Sequence, residues 1–197
     1  MKGWNRMRLI LASASPRRRE LLEMLGVENF EVIPAQGDEL PHPELSPAEL
    51  VRKLSCAKAS EVAAAMDDPE AVVIGADTVV AIDNAVLGKP KDASDAHRML
   101  RLLSGRTHEV FTGVTVLRGD EVYTASERTA VRFRVLKERE IDAYVATGEP
   151  LDKAGAYGAQ GKASLFVEGI EGDFFNVMGL PLCLLGKILG KLGVVLL

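Results

Sequence analysis

Residues 8–26, RLILASASPRRRELLEMLG, decide the fold, because they predict a buried strand that passes directly into a helix. The short apolar run Leu9–Ala12 predicts the strand. Ser15 at the N-cap, Pro16 at the first helical position and Gly26 just past the last apolar residue predict the bounds of the helix. The chain therefore begins with the strand-to-helix unit of an α/β protein.

The junction between this strand and this helix is a candidate anion site. The first N–H groups of a helix have no partner within it, and Arg17, Arg18 and Arg19 add positive charge beside them. Phosphate is the anion that best suits this arrangement. A capped surface helix with solvated arginines explains the stretch equally well, so both interpretations stay open at this point.

Composition and charge narrow the class of protein. The 197 residues are 47% hydrophobic and 26% charged, as expected for one sizeable α/β domain, and no repeat or interdomain linker is visible. We therefore predict a single domain over residues 1–197. The net charge of −4 argues against a general nucleic-acid binder.

Signals for secretion and membrane insertion are missing from the sequence. Met1–Arg8 is polar, which predicts no signal peptide. Lys187 and Lys191 interrupt the leucine-rich C-terminal segment, which predicts a helix of the fold and no membrane span. Cys56 and Cys183 lie far apart and are expected to be reduced structural thiols. We expect a cytoplasmic protein.

Capping signals and hydrophobic periodicity predict the remaining elements. Ser46-Pro47-Ala48-Glu49 is a capping box, so a helix begins there and runs to about Met66. Gly119-Asp120 predicts a tight hairpin. His97 and His108 have no partner at a metal or triad spacing and are expected to be surface or packing residues. The pattern also predicts strands at 30–34, 71–83, 110–117 and 122–133, and helices at 92–104, 138–147 and 181–192.

Asp77 is the candidate functional acid. Residues 71–83, AVVIGADTVVAID, predict a central strand that is buried on both faces, and Asp77 interrupts it. A buried carboxylate needs a cation, a cage of hydrogen bonds or a metal ion. An aspartate that only caps backbone at a strand end or bulge is the alternative. Lys89, in the nearby Gly88-Lys89-Pro90 loop, favours the functional interpretation.

Lys58 lies within the apolar stripe of the helix that begins after Ser46, instead of opposite it. Its ammonium group either extends to solvent or points at a specific partner. The pattern alone favours extension to solvent or a local pair with Glu61.

The segment from residue 149 to residue 179 is rich in glycine, and its first part, residues 149–161, predicts a loop that a ligand can approach closely. It matches neither a P-loop nor a dinucleotide-binding fingerprint. Gln160 in this loop offers a donor beside an acceptor, which suits the edge of a uracil or thymine ring. The same amide can flip to suit other bases.

Taken together, these features supply what cleavage of a phosphoanhydride needs, because catalysis at phosphorus is mostly positioning and charge stabilisation. The motifs LASASPRR, GADTVV, GKP, LSGRTHEVFTGV, GEPLDKAGAYGAQG and GLPL occur in this order over nearly the whole chain. On these motifs the sequence resembles the Maf proteins, the septum-formation-inhibitor family of nucleoside triphosphate pyrophosphatases.

The resemblance implies an α/β fold shared with the inosine triphosphate pyrophosphatases of the Ham1 type. This fold is an elongated mixed sheet flanked by helices, with a central cleft, and is usually homodimeric. The resemblance also implies metal-dependent hydrolysis of a nucleoside triphosphate to a monophosphate and pyrophosphate. The cation would be Mg²⁺, Mn²⁺ or Co²⁺. The AGAYGAQG motif is similar to the branch that prefers dTTP and UTP, not to the branch that acts on 7-methyl-GTP.

Individual roles follow from the motif positions, and are implied by the resemblance alone. Asp77 matches the general base or metal-site acid, and Glu39 matches a second metal-site acid. The positions associated with substrate choice match Arg17, Thr78 and Gln160. Polar residues that line the phosphate region match Ser13, Lys58 and Lys89. Residues 1–6 precede the usual family start and are expected to be an extension without function, with Met7 as the natural start.

Two functions from different classes remain after this comparison. The first is a house-cleaning pyrophosphatase that removes dTTP, UTP and modified pyrimidine triphosphates. The second is a nucleotide-binding regulator of cell division that acts without useful turnover. Asp77 favours the enzyme, because a pure anion binder gains nothing from an acid beside the phosphates. RNA binding is disfavoured by the net charge and by an aromatic content of 5%.

Overall fold

The computed structural model describes residues 7–27, 29–37, 42–66 and 68–196, and within them the chain builds one seven-stranded sheet with helices packed on it. The strands are β1 (Leu9–Ala12), β2 (Phe30–Val32), β3 (Val72–Ile82), β4 (Ala85–Leu87), β5 (Thr107–Arg118), β6 (Glu121–Phe133) and β7 (Val167–Glu171). The helices are α1 (Pro16–Met24), α2 (Pro47–Ala65), α3 (Ala93–Leu103), α4 (Glu138–Val145), α5 (Phe174–Met178) and α6 (Leu182–Lys191).

The sheet is mixed, and its order is β2-β1-β3-β5-β6-β7 with β4 also paired to β3. β1 runs parallel to β2 and β3. The pairs β3–β5, β5–β6 and β6–β7 are antiparallel. The predicted α/β class with a mixed sheet flanked by helices is confirmed. None of the helices in the described part of the chain is long and apolar enough to cross a membrane.

Strand β3 changes its neighbour halfway along one edge. β1 pairs with β3 as far as Gly75, and β4 pairs with β3 from Val80 onward. Among the described residues, no strand pairs with the stretch of β3 between these two points on that edge. β5 covers the opposite edge along nearly the whole strand. Asp77 and Thr78 therefore lie at a gap in the sheet.

Helix α2 packs with its backbone unusually close to the sheet. A Cβ atom at Gly75 would lie 2.3 Å from the carbonyl oxygen of Ser55, and one at Gly113 would lie 2.1 Å from that of Val51. Real Cβ atoms do not make such short contacts, so only glycine allows α2 to lie at this distance. The capping box at Ser46 that begins the helix is present as predicted.

Two large apolar cores lie on the face of the sheet opposite α2. Side chains alternate between the two faces of a strand, and even-numbered residues of β3, such as Ile74 and Val80, serve these two cores. The odd-numbered residues of β3 pack with α2 in two smaller clusters. The first core joins β1 and the first half of β3 to α1 and α6, with Leu11, Leu22, Ile74 and Leu185 as fully buried members. The second joins the far half of β3 to β6, α3 and α4, with Val80, Leu100, Phe133 and Ile141 among its members.

Most predicted elements are present, and their ends shift by a few residues. β2 ends at Val32 instead of residue 34, and β5 begins at Thr107 instead of residue 110. The predicted hairpin at Gly119 is confirmed, and Gly119 adopts a φ of +54° there. Ser15 occupies the N-cap of α1 as predicted, but its side chain makes no capping hydrogen bond.

The predicted loop over residues 149–161 contains two short turns of 3₁₀ helix. The rest of the segment to residue 179, where no element was predicted, contains a third such turn, β7 and α5. β7 is an edge strand of five residues and α5 has only five residues, so both are too short for hydrophobic periodicity to reveal. The three-residue strand β4 was also not predicted, for the same reason.

Candidate active site

A cleft of about 830 Å³ opens at the gap in the sheet. The end of β1, the first turn of α1, the middle of β3, one side of α2 and the glycine-rich segment all line it. Of the predicted site residues, Glu39 lies outside the described residues. The others all line this one cleft: Ser13, Arg17, Lys58, Asp77, Thr78, Lys89 and Gln160.

The Asp77 carboxylate forms an ion pair with Lys58 on the α2 side of β3. Lys58 Nζ donates to Asp77 Oδ1 at 2.5 Å, and Asp77 is only 6% exposed. The lysine charge offsets the free energy that a lone buried carboxylate would cost. Because α2 can approach so closely over Gly75, the lysine reaches the strand. Of the three predicted ways to hold Asp77, a cation, a cage of hydrogen bonds or a metal ion, the structure shows a cation, Lys58.

The pattern-based expectation for Lys58 is wrong, since its ammonium points into the cleft and not out to solvent. The Lys58 side chain is 21% exposed. Glu61, the other expected partner, accepts hydrogen bonds from the backbone N–H groups of Gln36 and Gly37 at 2.6 and 3.0 Å. A helical stripe shows which face is buried, but it does not show which acid another element brings to that face.

Arg18 joins three elements on the opposite face of β3. Its guanidinium donates to Ser13 Oγ at 3.0 Å, to Thr78 Oγ1 at 3.0 Å and to the carbonyl oxygen of Gly179 at 2.8 Å. Thr78 in turn shares a hydrogen bond of 2.9 Å with Thr112. The sequence placed Arg18 only within a basic run, and the distant carbonyl that it binds has no local signal.

The first turn of α1 faces the cleft with features that suit an anion. The turn contains no acidic residue, and the Ser15 side chain does not cap it. Ser13 Oγ accepts from the Ser15 N–H at 3.3 Å, which turns Ser13 toward the helix start. The positive end of the helix dipole and Arg17 therefore lie beside the same space.

Lys89 and Lys153 extend this positive charge along the cleft. Lys89 is exposed in the loop after β4. Lys153, which sequence analysis did not single out, donates to the carbonyl oxygen of Glu149 at 2.7 Å and to Asp152 Oδ1 at 2.6 Å. Partial burial acts to raise the pKa of Asp152, but its contacts with Lys153 and Arg17 outweigh burial and lower that pKa.

Gln160 lies on a tight turn at the far end of the cleft. The Gly161 N–H donates to the carbonyl oxygen of Gly158 at 3.0 Å, so Ala159 and Gln160 are the two central residues of the turn. Gln160 is exposed and lines the cleft. A donor–acceptor amide is thus presented to any ligand that fills the space.

A buried aromatic pair supports the segment just before this turn. His108 Nε2 and the Tyr157 hydroxyl lie 2.8 Å apart, and burial lowers the pKa of His108 to about 4. Burial also raises the pKa of Tyr157, so both groups are neutral near pH 7. The prediction that His108 and His97 are packing or surface residues is confirmed, since His97 lies on the surface beside Asp142.

The described residues do not form a metal centre by themselves. They include no group of three or more His, Cys, Asp or Glu side chains that could hold a metal ion. Mg²⁺ in nucleotide enzymes often needs only one or two carboxylates, because substrate oxygens complete its coordination. Asp77 lines the cleft, and one of its carboxylate oxygens is bound to Lys58. This arrangement fits a cation that arrives with the substrate.

Comparison with known proteins relates the chain to a protein family. A family model described as Maf-like protein matches residues 8–192. A dTTP/UTP pyrophosphatase of Moorella thermoacetica is 55% identical over 190 residues, which cover 95% of this chain and 96% of the relative. One of Bacillus cytotoxicus is 52% identical over 175 residues, or 89% and 90% of the two chains. One of Bacillus cereus is 49% identical over 181 residues, or 92% and 88%.

Among solved structures, the chain is similar to a HAM1 protein from Coxiella burnetii, with a TM-score of 0.46 and 14% identity over 64% of this chain and 73% of that one. It is also similar to the Staphylococcus aureus Ham1 protein, with a TM-score of 0.40 and 13% identity over 64% and 71%.

Proposed function

Because the chain belongs to the Maf-like family, we propose that it is a nucleoside triphosphate pyrophosphatase that hydrolyses dTTP and UTP to the monophosphate and pyrophosphate. The observation that carries this proposal is the Asp77–Lys58 pair at the sheet gap, which faces a cleft lined by Arg17, Lys89 and Lys153. Relatives that are about half identical over nearly their whole length bear the name of this activity.

The cationic part of the cleft suits the triphosphate. The first turn of α1 places the positive end of the helix dipole at the cleft, and Arg17 and Lys89 offer charges that spread the negative charge of the phosphates. Ser13 adds a hydroxyl at the end of β1. Such groups stabilise the transition state most when they are fixed in place before the substrate arrives, as regular elements allow.

Asp77 is the proposed general base. Its carboxylate accepts a proton from a water molecule whose oxygen attacks the α-phosphorus, and the bond from that phosphorus to the bridging oxygen breaks. Pyrophosphate leaves with the bridging oxygen. The Lys58 contact at 2.5 Å orients the carboxylate toward the cleft. A base in this position typically contributes a rate factor of about 10²–10⁴.

A divalent cation is part of the proposal, as Mg²⁺, Mn²⁺ or Co²⁺. Asp77, and Glu39 on the resemblance, would hold it together with phosphate oxygens, and it would shield the negative charge of the triphosphate. The proposal also includes a cytoplasmic location, from the sequence, and a homodimer, from the family resemblance. Light scattering of the purified protein tests the dimer.

Substrate choice is assigned to Gln160, Thr78 and Arg17. The Gln160 amide can donate to a uracil or thymine carbonyl and accept from the adjacent ring N–H. Thr78 and Arg17 lie nearer the phosphates, on β3 and α1. The proposal thus divides the cleft into a part that binds phosphates and a part that reads the base.

The test is a panel of nucleoside triphosphates with Mg²⁺, Mn²⁺ and Co²⁺ and separate detection of pyrophosphate and orthophosphate. We expect pyrophosphate release from dTTP and UTP to exceed that from CTP, ATP and GTP, with little activity when the cations are chelated. Tight binding of UTP without any product would contradict the proposal and favour the nucleotide-binding regulator.

A further inference from the structure

We propose that Tyr144 and Glu149 form a bracket that fixes Gln160 in place, and so determine how much the base contributes to substrate selection. This inference rests on the proposed function, in which Gln160 reads the base. Neither residue lies in the cleft lining, so both act as positioning residues.

One arm of the bracket holds the start of the Gln160 turn. The Gly158 N–H donates to the Tyr144 hydroxyl at 3.1 Å, and this hydroxyl donates to Glu149 Oε1 at 3.1 Å. Burial raises the pKa of Tyr144 above its ordinary value of 10.0, which keeps the hydroxyl protonated. The hydroxyl therefore accepts one bond and donates the other.

The second arm holds the end of the turn. The Lys162 N–H lies 3.2 and 3.3 Å from the two carboxylate oxygens of Glu149. A Cβ atom at Gly161 would lie 2.1 Å from Glu149 Oε1. The carboxylate thus occupies the space that a side chain at residue 161 would need, and glycine there is a requirement of the bracket.

A third contact, between Lys153 and Glu149, holds the segment before the turn. The carbonyl oxygen of Glu149 accepts from Lys153 Nζ at 2.7 Å. The aliphatic part of Lys153 lies on Gly158, where a Cβ atom would come within 2.7 Å of Lys153 Cε. One residue, Glu149, therefore binds the loop on both sides of Gln160.

The physical consequence concerns the entropy of binding. Gln160 lies between Ala159 and Gly161 in a turn that begins at Gly158, and a free turn with two glycines samples many conformations. A ligand that had to order the turn would lose that free energy from its affinity. The bracket orders the turn before the ligand arrives. The free energy of the contact between Gln160 and the base therefore contributes fully to the affinity.

The experiment compares UTP with ribose 5′-triphosphate, which has the same phosphates and no base. The quotient of their kcat/KM values in Mg²⁺ measures the contribution of the base. We expect Glu149→Ala and Tyr144→Phe to lower this quotient about tenfold, the equivalent of about one hydrogen bond. The kcat for UTP should stay within about twofold of wild type, because the Asp77 side of the cleft is untouched.

Conservative and matched variants separate positioning from folding. Glu149→Gln keeps an oxygen that can accept from Tyr144 and Lys162, so its quotient should lie between those of wild type and Glu149→Ala. Tyr123→Phe and Glu168→Gln change the same residue types on β6 and β7, away from the cleft, and should leave the quotient unchanged. Thermal unfolding of each variant verifies that it is folded.

Gln160→Ala distinguishes failure of the bracket from failure of the proposed base contact. The bracket would be overturned if Gln160→Ala had a low quotient while Tyr144→Phe, Glu149→Gln and Glu149→Ala kept the wild-type quotient. The proposed function would then stay intact. An unchanged quotient in Gln160→Ala would overturn the base contact itself. Equal losses for UTP and ribose 5′-triphosphate in the bracket variants would show a general structural role and overturn the inference.

Discussion

The two walls of the cleft are built in different ways. The phosphate wall, residues 12–18, 58 and 75–80, lies mostly on regular structure: the end of β1, the first turn of α1, the middle of β3 and one side of α2. The base wall, residues 149–162, consists of short turns held by side chains that bond to backbone, such as Tyr144 and Lys153.

This difference separates two tasks. The phosphate wall presents charges on elements that are anchored in two apolar cores, so its geometry tolerates little change. The base wall depends on a few individual hydrogen bonds, each worth about 1 kcal/mol. Substitutions in the first wall should therefore affect turnover and folding, and substitutions in the second should affect selectivity.

The largest effect is expected from Asp77→Asn in the phosphate wall. The amide keeps the shape of the carboxylate but cannot accept the proton of the attacking water, so kcat for UTP should fall about 10³-fold. Binding of UTP, measured by titration calorimetry, should change little. Asp120→Asn at the exposed hairpin tip is the matched control. Unchanged pyrophosphate release from Asp77→Asn would remove Asp77 from its role.

A large effect on stability is expected from Gly75→Ala. The new Cβ would lie 2.3 Å from a backbone oxygen of α2, which cannot rotate away, so α2 must move off the sheet. Overpacking of this kind costs about 3 kcal/mol in the free energy of unfolding, measured with urea. Turnover should fall as well, since the shift separates Lys58 from Asp77.

The control for this variant is Gly186→Ala in α6, where a Cβ meets nothing within 4 Å. Alanine in a helix with free space should stabilise the protein by about 0.5–1 kcal/mol. Equal behaviour of the two alanine variants would show that the close approach of α2 at Gly75 is not required.

An effect of intermediate size is expected on the pH dependence of stability, through His108, which supports the base wall. Its pKa is about 4 when folded and about 6.5 when unfolded, so between these values the unfolded chain binds more protons. The free energy of unfolding should therefore fall by about 2–3 kcal/mol as the pH drops from 6.5 to 4. Urea titrations at several pH values measure this.

His108→Gln is the variant that tests this assignment. Glutamine can still bond to the Tyr157 hydroxyl but does not titrate, so the decline toward pH 4 should be smaller by that amount. The same decline in both proteins would assign the pH dependence to other groups, such as Glu140, whose contact with Arg134 lowers its pKa to about 2.

The smallest effect on stability is expected from removing the ion pair that joins the two walls. Arg17 Nη1 lies 3.9 Å from Asp152 Oδ2, and the Asp152 side chain is 67% exposed. Exposed ion pairs contribute about 0–1 kcal/mol, so Asp152→Asn should change the urea midpoint very little. A loss well above 1 kcal/mol would show that the walls are coupled and would contradict their separate construction.

The same difference explains what the sequence could predict. The phosphate wall has local signals: Pro16 and Gly26 bound its helix, and an acid interrupts an apolar strand at Asp77. The capping box at Ser46 likewise locates α2. These signals exist because caps and periodicity act over a few residues.

The contacts that complete the site have no such signals. The partner of Lys58 is set by the packing of α2 across Gly75, not by the helix that carries it. Arg18 binds Gly179, 161 residues away, and the backbone of the Gln160 turn bonds to side chains from outside the turn. Long-range pairings of this kind depend on the finished fold.

The gap between β1 and β4 has a consequence for how this enzyme family can diversify. In a continuous sheet, Asp77 and Thr78 would serve opposite sides and never share a ligand. Here one hollow reaches around the strand edge and touches both side chains. Asp77, the proposed proton acceptor, and Thr78, a proposed selector of substrate, are therefore consecutive in the chain but have separate sets of neighbours. Mutation can alter the surroundings of one residue without rebuilding those of the other.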